Sequence, residues 1–286
     1  MELNESDNFA ETLAREIKQP IDIGSNTATA MKRIALPPGW TLAEKDESKT
    51  LAAPLRKRAV VRVRDAESFI DYVKRHGSLT DSTVWCLADY VQGKIAFTGI
   101  INDHGEDAAA AAWRDHRAFF TPEFSEEWRR WNAVNKKPFT QVEFGAFIEE
   151  NLKDIASPEG SNLPSGSAML EMALAFEAVQ DMRFKSSVRL QNGGVNLSFV
   201  QDDDAQTLQK MQVFERFSIG VPVFWNGDAY QIDARLRYRV RDGKLSFWFE
   251  LIRADKVLEA AATTVISTIK EKTGSPFFFG DPFSGE

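Results

Sequence analysis

Three short turn signals constrain the fold of this chain more than any other feature. Asn192-Gly193, Asn226-Gly227 and Asp242-Gly243 each separate two runs in which apolar and polar residues alternate. Asparagine, aspartate and glycine tolerate the positive φ angles that a two-residue hairpin loop requires. Because the three turns follow one another closely, the sequence predicts an antiparallel β-meander in the C-terminal part of the chain.

Strands and helices are both predicted before this meander. The segments RAVVRVRD, STVWCLADYV, KIAFTGII and AWRDHRAFF are predicted as strands. Asp65 is a candidate N-cap for the helix AESFIDYVKRH, and Thr140 with Glu143 forms a capping box at the start of a later helix. We therefore predict an α+β protein, with a mixed N-terminal unit of strands and helices and a C-terminal antiparallel meander packed against helices.

The richest cluster of proline, glycine and serine, ASPEGSNLPSGS, suggests a domain boundary at residues 156–167. The predicted segments are an N-terminal helix and linker over 1–30, a mixed α+β unit over 31–155, and the meander over 165–286 with its flanking helices and phenylalanine-rich tail. The amphipathic helix predicted over 6–18 is too short to fold alone, so we expect it to dock on the body or on a partner.

Composition and charge exclude several classes of protein. No apolar run approaches the roughly 20 residues of a membrane helix, and the N-terminal segment is charged where a signal peptide is apolar. We therefore expect a cytoplasmic protein with no membrane partner. The single cysteine, Cys86, excludes an internal disulfide, and its apolar neighbours favour a core residue over a nucleophile. The net charge of −7 argues against wholesale coating of nucleic acid but leaves a local basic surface open.

The last hairpin carries the candidate binding site. A two-residue turn at Asp242-Gly243 predicts the pairs Arg241 with Lys244, Arg239 with Ser246, Arg237 with Trp248, and Arg235 with Glu250. Four arginines, Arg235, Arg237, Arg239 and Arg241, then share one side of the hairpin with Lys244 and Trp248; we call these four the arginine ladder. Guanidinium groups match phosphate geometry, and an indole offers a stacking plane. These six residues are therefore candidates for binding a nucleotide or another polyanion. The alternative is that acidic side chains of the same or a neighbouring subunit neutralise the ladder.

The C-terminal tail, SPFFFGDPFSGE, is unusually apolar for a terminal segment. Its phenylalanines are Phe277, Phe278, Phe279 and Phe283. Exposing all four to water would be unfavourable. The tail is therefore expected either to fold back under a sheet or to dock on an adjacent subunit, and the second alternative makes these residues candidate contacts of a homo-oligomer.

No catalytic residues are assigned. Asp115 and His116 are adjacent, and neighbouring side chains on a strand point to opposite faces, so this aspartate cannot orient this imidazole as a catalytic triad requires. The three histidines lack metal-binding spacings, and neither a GxSxG elbow nor a phosphate-binding loop of the GxxxxGK[ST] type is present. We expect no metal and no cofactor. Extrapolating the hairpin at Gln92-Gly93 places His104 near Asp81.

Several separated stretches resemble one known family. PPGW, WRDHRAFF, EEWRRW, FGAFIEENLKDI and FKSSVRLQNGGVNLSF together resemble the YfdQ-like family of phage and prophage proteins, also called domain of unknown function 2303. The resemblance runs from about residue 30 to the C-terminus. It implies a phage or prophage accessory protein, and it brings no assigned catalytic residues.

These observations predict a non-enzymatic accessory protein that self-associates and binds a nucleotide, nucleic acid or other polyanion through the arginine ladder. One alternative is an enzyme of nucleic-acid or nucleotide metabolism that gathers Asp, Glu and His residues from distant parts of the chain. Another is a purely structural assembly in which the ladder is a subunit interface.

Overall fold

The computed structural model describes residues 21–26, 31–36, 39, 41, 50–90, 93–105, 109–178, 183–189, 194–200, 209–241 and 244–284. The chain forms two compact units, residues 1–57 and 58–286. In the first unit, β1 (Ile21–Asn26) pairs antiparallel with β2 (Met31–Ala35). Part of the stretch predicted as a linker thus forms β1, whereas the helix predicted over 6–18 lies outside the described residues.

The second unit combines helices with three sheets, which confirms the predicted α+β class. Its helices are α1 (Ala66–His76), α2 (Glu126–Val134), α3 (Gln141–Glu150), α4 (Gly166–Ala178) and α5 (Ala254–Thr273). Its strands are β3 (Ala59–Val63), β4 (Thr83–Asp89), β5 (Lys94–Ile100), β6 (His116–Phe120), β7 (Ile155–Ala156), β8 (Arg183–Arg189), β9 (Gly194–Val200), β10 (Gln209–Phe214), β11 (Arg216–Pro222), β12 (Ala229–Arg241), β13 (Lys244–Leu251) and β14 (Phe277–Phe279). None of these described helices combines the length and apolar character needed to cross a bilayer.

A five-stranded sheet has the order β14-β4-β5-β6-β3. The pairs β4-β5 and β5-β6 are antiparallel, and β14 and β3 join the sheet by parallel pairing with β4 and β6. Helix α1 begins where the Asp65 side chain accepts a hydrogen bond from the Ser68 amide, as predicted. Its buried residues Phe69, Ile70 and Val73 belong to the same core as the sheet.

The predicted antiparallel meander is present as two sheets, β13-β12-β11-β7 and β10-β9-β8. The pairing of β12 with β13 ends at Arg241 and Lys244, as a turn at Asp242-Gly243 predicts. The turn itself lies outside the described residues. The β8-β9 pairing is shifted by one residue from the prediction, because Arg189 lies opposite Val195 rather than Asn196. A two-residue loop at Asn192-Gly193 would require the unshifted register, so that detail was wrong.

The predicted two-residue loop at Asn226-Gly227 was also wrong. The pairing of β11 with β12 ends at Pro222 and Ala229. The turn runs from Phe224 to Gly227, and the Gly227 amide donates to the Phe224 carbonyl at 3.0 Å. Asn226 still adopts a positive φ of 57°. The turn moves toward the N-terminus because residues 223–225 pair with 123–125: the Trp225 amide donates to the Glu123 carbonyl at 2.8 Å.

An aromatic cluster joins α2 and α3 to the four-stranded sheet. Trp131 is fully buried, and its ring centroid lies 4.9 Å from that of Phe147, 6.0 Å from that of Phe217 and 5.2 Å from that of Phe249. Its indole nitrogen donates to the carboxylate of Asp154 at 2.7 Å. Burial raises the pKa of Asp154, and this hydrogen bond opposes that effect. The cluster therefore combines close packing with one buried polar contact.

Helix α5 packs against both α1 and β12, and so contributes to the core beside both larger sheets. Its buried stripe includes Ala261, Ile266 and Ile269. It ends at Gly274, whose left-handed φ of 65° reverses the chain toward β14. Residues 156–167, predicted as a domain boundary, lie within the second compact unit.

Candidate functional site

The arginine ladder has the predicted register. In the pairing of β12 with β13, Arg235 lies opposite Glu250, Arg237 opposite Trp248, and Arg239 opposite Ser246. All four arginines of the ladder are exposed, and Trp248 is partly exposed. Lys244 occupies the register position opposite Arg241, but its side chain is outside what the structure describes. The four arginines and Trp248 therefore share one face of the hairpin.

The opposite face of the same hairpin is core. Phe247 and Phe249 are fully buried, and Ala234 and Leu236, which flank Arg235 on β12, are also buried. Phe139 exchanges backbone hydrogen bonds of 2.7 and 3.0 Å with Phe247, which attaches the hairpin to the residues just before α3. The ladder is thus mounted on a packed, hydrogen-bonded element, and its backbone geometry is largely fixed before any ligand arrives.

The charge of one ladder arginine, Arg237, is partly neutralised by a carboxylate. The guanidinium of Arg237 lies 3.8 Å from the carboxylate of Glu250, and the Trp248 indole nitrogen donates to the same carboxylate at 3.4 Å. Both charged side chains of this pair are substantially exposed, so the pair contributes about 0–1 kcal/mol to stability. Such a weak pair leaves Arg237 available to a competing anion.

The other ladder arginines differ in their partners. Arg241 makes an interaction of its own. Across the ranges that the structure describes, no carboxylate lies within ion-pair distance of Arg235 or Arg239. The described carboxylates therefore do not neutralise the ladder as a whole.

A fifth arginine lies beside the arginine ladder on a second strand, and we call the four ladder arginines together with this one the basic face. Arg216 on β11 is exposed and lies directly opposite Arg235, so its side chain projects to the same side of the sheet. Sequence reasoning missed it because the strand before Asn226-Gly227 was not extended back to Arg216; the turn predicted there would have placed Arg216 opposite Arg237, on the same face. Asp233 and Glu250 are the two carboxylates that the register places on this side, both toward the Arg235 end. These two carboxylates therefore lie away from Arg239.

A cavity of about 400 Å³ opens beside the ladder. It lies between β12 and the three-stranded sheet, and its lining includes Ser187, Glu215, Arg237 and Tyr238 together with apolar side chains such as Val195. Strand β11 pairs with β12 as far as Arg235, and the Leu236 amide donates to the Glu215 carbonyl at 2.9 Å. Among the described residues, the edge of β12 beyond Leu236 has no strand partner on this side. Arg237 belongs to both the ladder and the wall of this cavity.

The phenylalanine-rich tail adds an edge strand to its own five-stranded sheet. Phe277, Phe278 and Phe279 lie parallel to β4, opposite Val84, Trp85 and Cys86 respectively. Phe278 is 44% exposed and Phe279 is 66% exposed, whereas Phe277 is partly buried. The tail therefore folds back onto a sheet of its own chain, which is the first of the two predicted alternatives. Oligomer contact by these residues stays a prediction.

The end of the tail is held by two arginines. The guanidinium groups of Arg114 and Arg117 lie 5.0 and 3.8 Å from the centroid of the Phe283 ring. Arg114 also donates to the Pro282 carbonyl at 3.3 Å and pairs with Asp103 at 2.9 Å. These cation–π and polar contacts fold the tail across the sheet.

The side chains of Asp115 and His116 have different described partners, although Asp115 lies just before β6 and not on a strand. Asp115 accepts a hydrogen bond from the Asn102 amide group at 2.9 Å, and His116 shares one of 2.9 Å with the Tyr72 hydroxyl. The His76 ring lies near the rings of Tyr72 and His116. Sequence reasoning missed this cluster because α1 and β6 are far apart in the chain.

The predicted proximity of His104 and Asp81 is confirmed through the main chain, because the His104 amide donates to the Asp81 carbonyl at 3.3 Å. The register from which it was extrapolated was wrong by two residues, since Asp89 rather than Val91 lies opposite Lys94. Among the described residues, no three His, Cys, Asp or Glu side chains are arranged to hold a metal ion.

A larger groove, of about 610 Å³, lies where the start of α1 meets the Phe224–Gly227 turn and α5. Its rim carries Asp65, Glu67 and Glu123 as well as Arg64 and Lys272, so it favours neither sign of ligand charge. The Asp65 carboxylate already caps the α1 N-terminus. The basic face is therefore the better defined candidate site.

Cys86 is buried, and this burial raises the pKa of its thiol to about 11. We expect the thiolate population at pH 8 to be about a hundredfold below that of an ordinary exposed cysteine. Labelling by a disulfide reagent should therefore be very slow in the folded protein and fast in urea. Rates within about tenfold of each other in the two conditions would contradict an inert core thiol.

Comparison with known proteins gives one match. The family model described as an uncharacterized conserved protein, DUF2303, matches residues 4–282, almost the whole chain. Neither the curated proteins nor the solved structures contain a significant match.

Proposed function

We propose, from the premise that the chain belongs to the uncharacterized conserved protein family DUF2303, that its basic face binds a phosphate-bearing polyanion. The observation that carries this proposal is the alternation of four exposed arginines along β12, with Arg216 beside them on β11. Guanidinium forks form paired, charge-assisted hydrogen bonds with phosphate oxygens. The packed hairpin behind them lowers the ordering cost of binding.

The charge distribution supports binding by the face rather than by the whole molecule. The chain as a whole carries a formal charge of −7, which opposes non-specific attraction to nucleic acid. A basic strip on an acidic protein instead attracts anions at one place and repels them elsewhere. This arrangement suits recognition of a defined polyanion segment.

The proposal is tested by removing the two arginines that lack a described carboxylate partner. Arg235→Ala with Arg239→Ala should weaken binding of inorganic polyphosphate about tenfold or more, because two charge-assisted contacts are lost. The slope of log affinity against log salt should also become shallower by about one to two. Titration calorimetry at several salt concentrations measures both quantities.

The matched control is Arg75→Ala with Arg129→Ala. Both residues are exposed on helices, and this pair changes the net charge by the same amount. If the two double variants lose equal affinity, general charge rather than the ladder governs binding, and the proposal fails. If neither variant nor the natural chain binds polyphosphate, it fails as well.

We also propose that the protein is a phage or prophage accessory product of the YfdQ-like type, acting in the host cytoplasm without catalysis. The support is the resemblance of the five separated stretches, in order, to that family. Self-association belongs to the same proposal, and its support is the exposed apolar surface of Phe278 and Phe279 on an edge strand.

A further inference from the structure

We propose that the polyanion is a single strand of nucleic acid, laid along β12 with an unpaired base in the cavity beside Arg237. This inference rests on the proposed function of the basic face. It adds the class of ligand and a place for its bases. Three features of the hairpin carry it: the spacing of the ladder, the position of Trp248, and the cavity at the open edge of β12.

The spacing of the ladder favours an extended backbone. Alternate side chains on a strand are about 7 Å apart, and the arginines therefore form a straight row with that repeat. This repeat is comparable with the distance between successive phosphates of an extended single strand. In a duplex, the phosphates of one strand follow a helical path around the axis, advancing about 3.4 Å per nucleotide along it, so the strand turns away from a row on one protein face. A straight row of guanidinium groups therefore follows a single strand better than a duplex.

An aromatic ring stands next to the row. Trp248 is partly exposed and lies directly opposite Arg237. Its indole nitrogen is held by Glu250, which fixes the edge of the ring. Stacking of one base on an aromatic side chain contributes about 1–3 kcal/mol and requires a base that is free of its partner strand. The hairpin thus combines phosphate contacts with a candidate base platform.

The cavity gives an unpaired base a second place to bind. Its volume of about 400 Å³ is within the range of small-ligand sites. Apolar side chains form part of its wall, and its lining also includes the polar residues Ser187, Tyr238 and Glu215, whose side-chain types form hydrogen bonds with base edges. Because Arg237 lines both the cavity and the row, a strand whose phosphate contacts Arg237 would bring a neighbouring base to the cavity mouth. A duplex would have to open first.

The test compares four labelled ligands on the full chain by fluorescence anisotropy. They are a short oligothymidylate, the same strand without bases, a duplex of equal length, and inorganic polyphosphate. We expect the oligothymidylate to bind at least about tenfold more tightly than the duplex or the abasic strand, since only it offers free bases. Trp248→Ala should weaken oligothymidylate binding about fivefold or more and leave abasic-strand binding unchanged.

Trp113→Ala is the matched control, because this tryptophan is 75% exposed outside the described helices and strands. If the duplex or the abasic strand binds as tightly as oligothymidylate, the single-strand inference is overturned while the polyanion proposal stands. If Arg235→Ala with Arg239→Ala leaves binding of all four ligands unchanged, or no ligand binds, the polyanion proposal falls too. Should Trp248→Ala fail to fold by circular dichroism, the abasic comparison on the natural chain still decides.

Discussion

Replacing Trp131 with alanine is expected to lower the free energy of unfolding by about 3–5 kcal/mol. Trp131 is fully buried and lies within ring-contact distance of Phe147, Phe217 and Phe249. Its loss removes a large apolar side chain and leaves a cavity between α2 and the four-stranded sheet. It also leaves the half-buried Asp154 carboxylate without its indole donor. Equilibrium unfolding in urea, followed by circular dichroism, measures the change.

Trp113→Ala serves as the control for Trp131→Ala. The same residue type is replaced at a position that is 75% exposed, so the change should stay within about 0.5 kcal/mol. Equal destabilisation by the two variants would mean that Trp131 is not part of a packed cluster. Since Phe249 belongs to β13 and packs against Trp131, we also expect Trp131→Ala to reduce polyanion affinity by loosening the hairpin.

Deleting residues 276–286 is expected to cost about 2–3 kcal/mol of unfolding free energy. The deletion removes β14, exposes the edge of β4, and removes the Phe283 ring from Arg114 and Arg117. Cys86 lies opposite Phe279 on β4 and its carbonyl accepts the Gly280 amide, so its thiol should label faster in the truncated protein. Urea unfolding and thiol-labelling rates measure the two effects.

Phe279→Ala is the matched control for the tail. Phe279 is 66% exposed, and its truncation should change stability by less than about 0.5 kcal/mol. Light scattering separates the roles of the tail: a lower mass after deletion supports exchange between subunits, and a monomer in both forms eliminates it. A deletion that leaves both stability and Cys86 labelling unchanged would contradict the docking of the tail on β4.

Some of the structure follows from short-range chemistry, and the sequence was sufficient to predict it. Side chains alternate every second residue on a strand, and a two-residue turn fixes the pairing of its flanking residues. The Arg235–Glu250 register therefore followed from Asp242-Gly243 alone. The caps at Asp65 and Thr140 followed in the same way, because each depends on residues within one helical turn.

Other features depended on contacts between distant segments. The turn at Phe224 was displaced because residues 223–225 pair with 123–125, and this pairing set the register that places Arg216 opposite Arg235 rather than Arg237. The tail forms β14 because the edge of β4 was open to parallel pairing. Tyr72, His76 and His116 met because α1 packs beside β6.

The sequence by itself thus determined the arginine ladder, since alternation and turn chemistry act within a few residues. Only the tertiary structure decided which residue of the ladder Arg216 lies opposite, which carboxylates reach the arginines and where a cavity opens beside them. Those outcomes depend on which strand edges remain open and which side chains fill the space between sheets, and neither is set by neighbours along the chain.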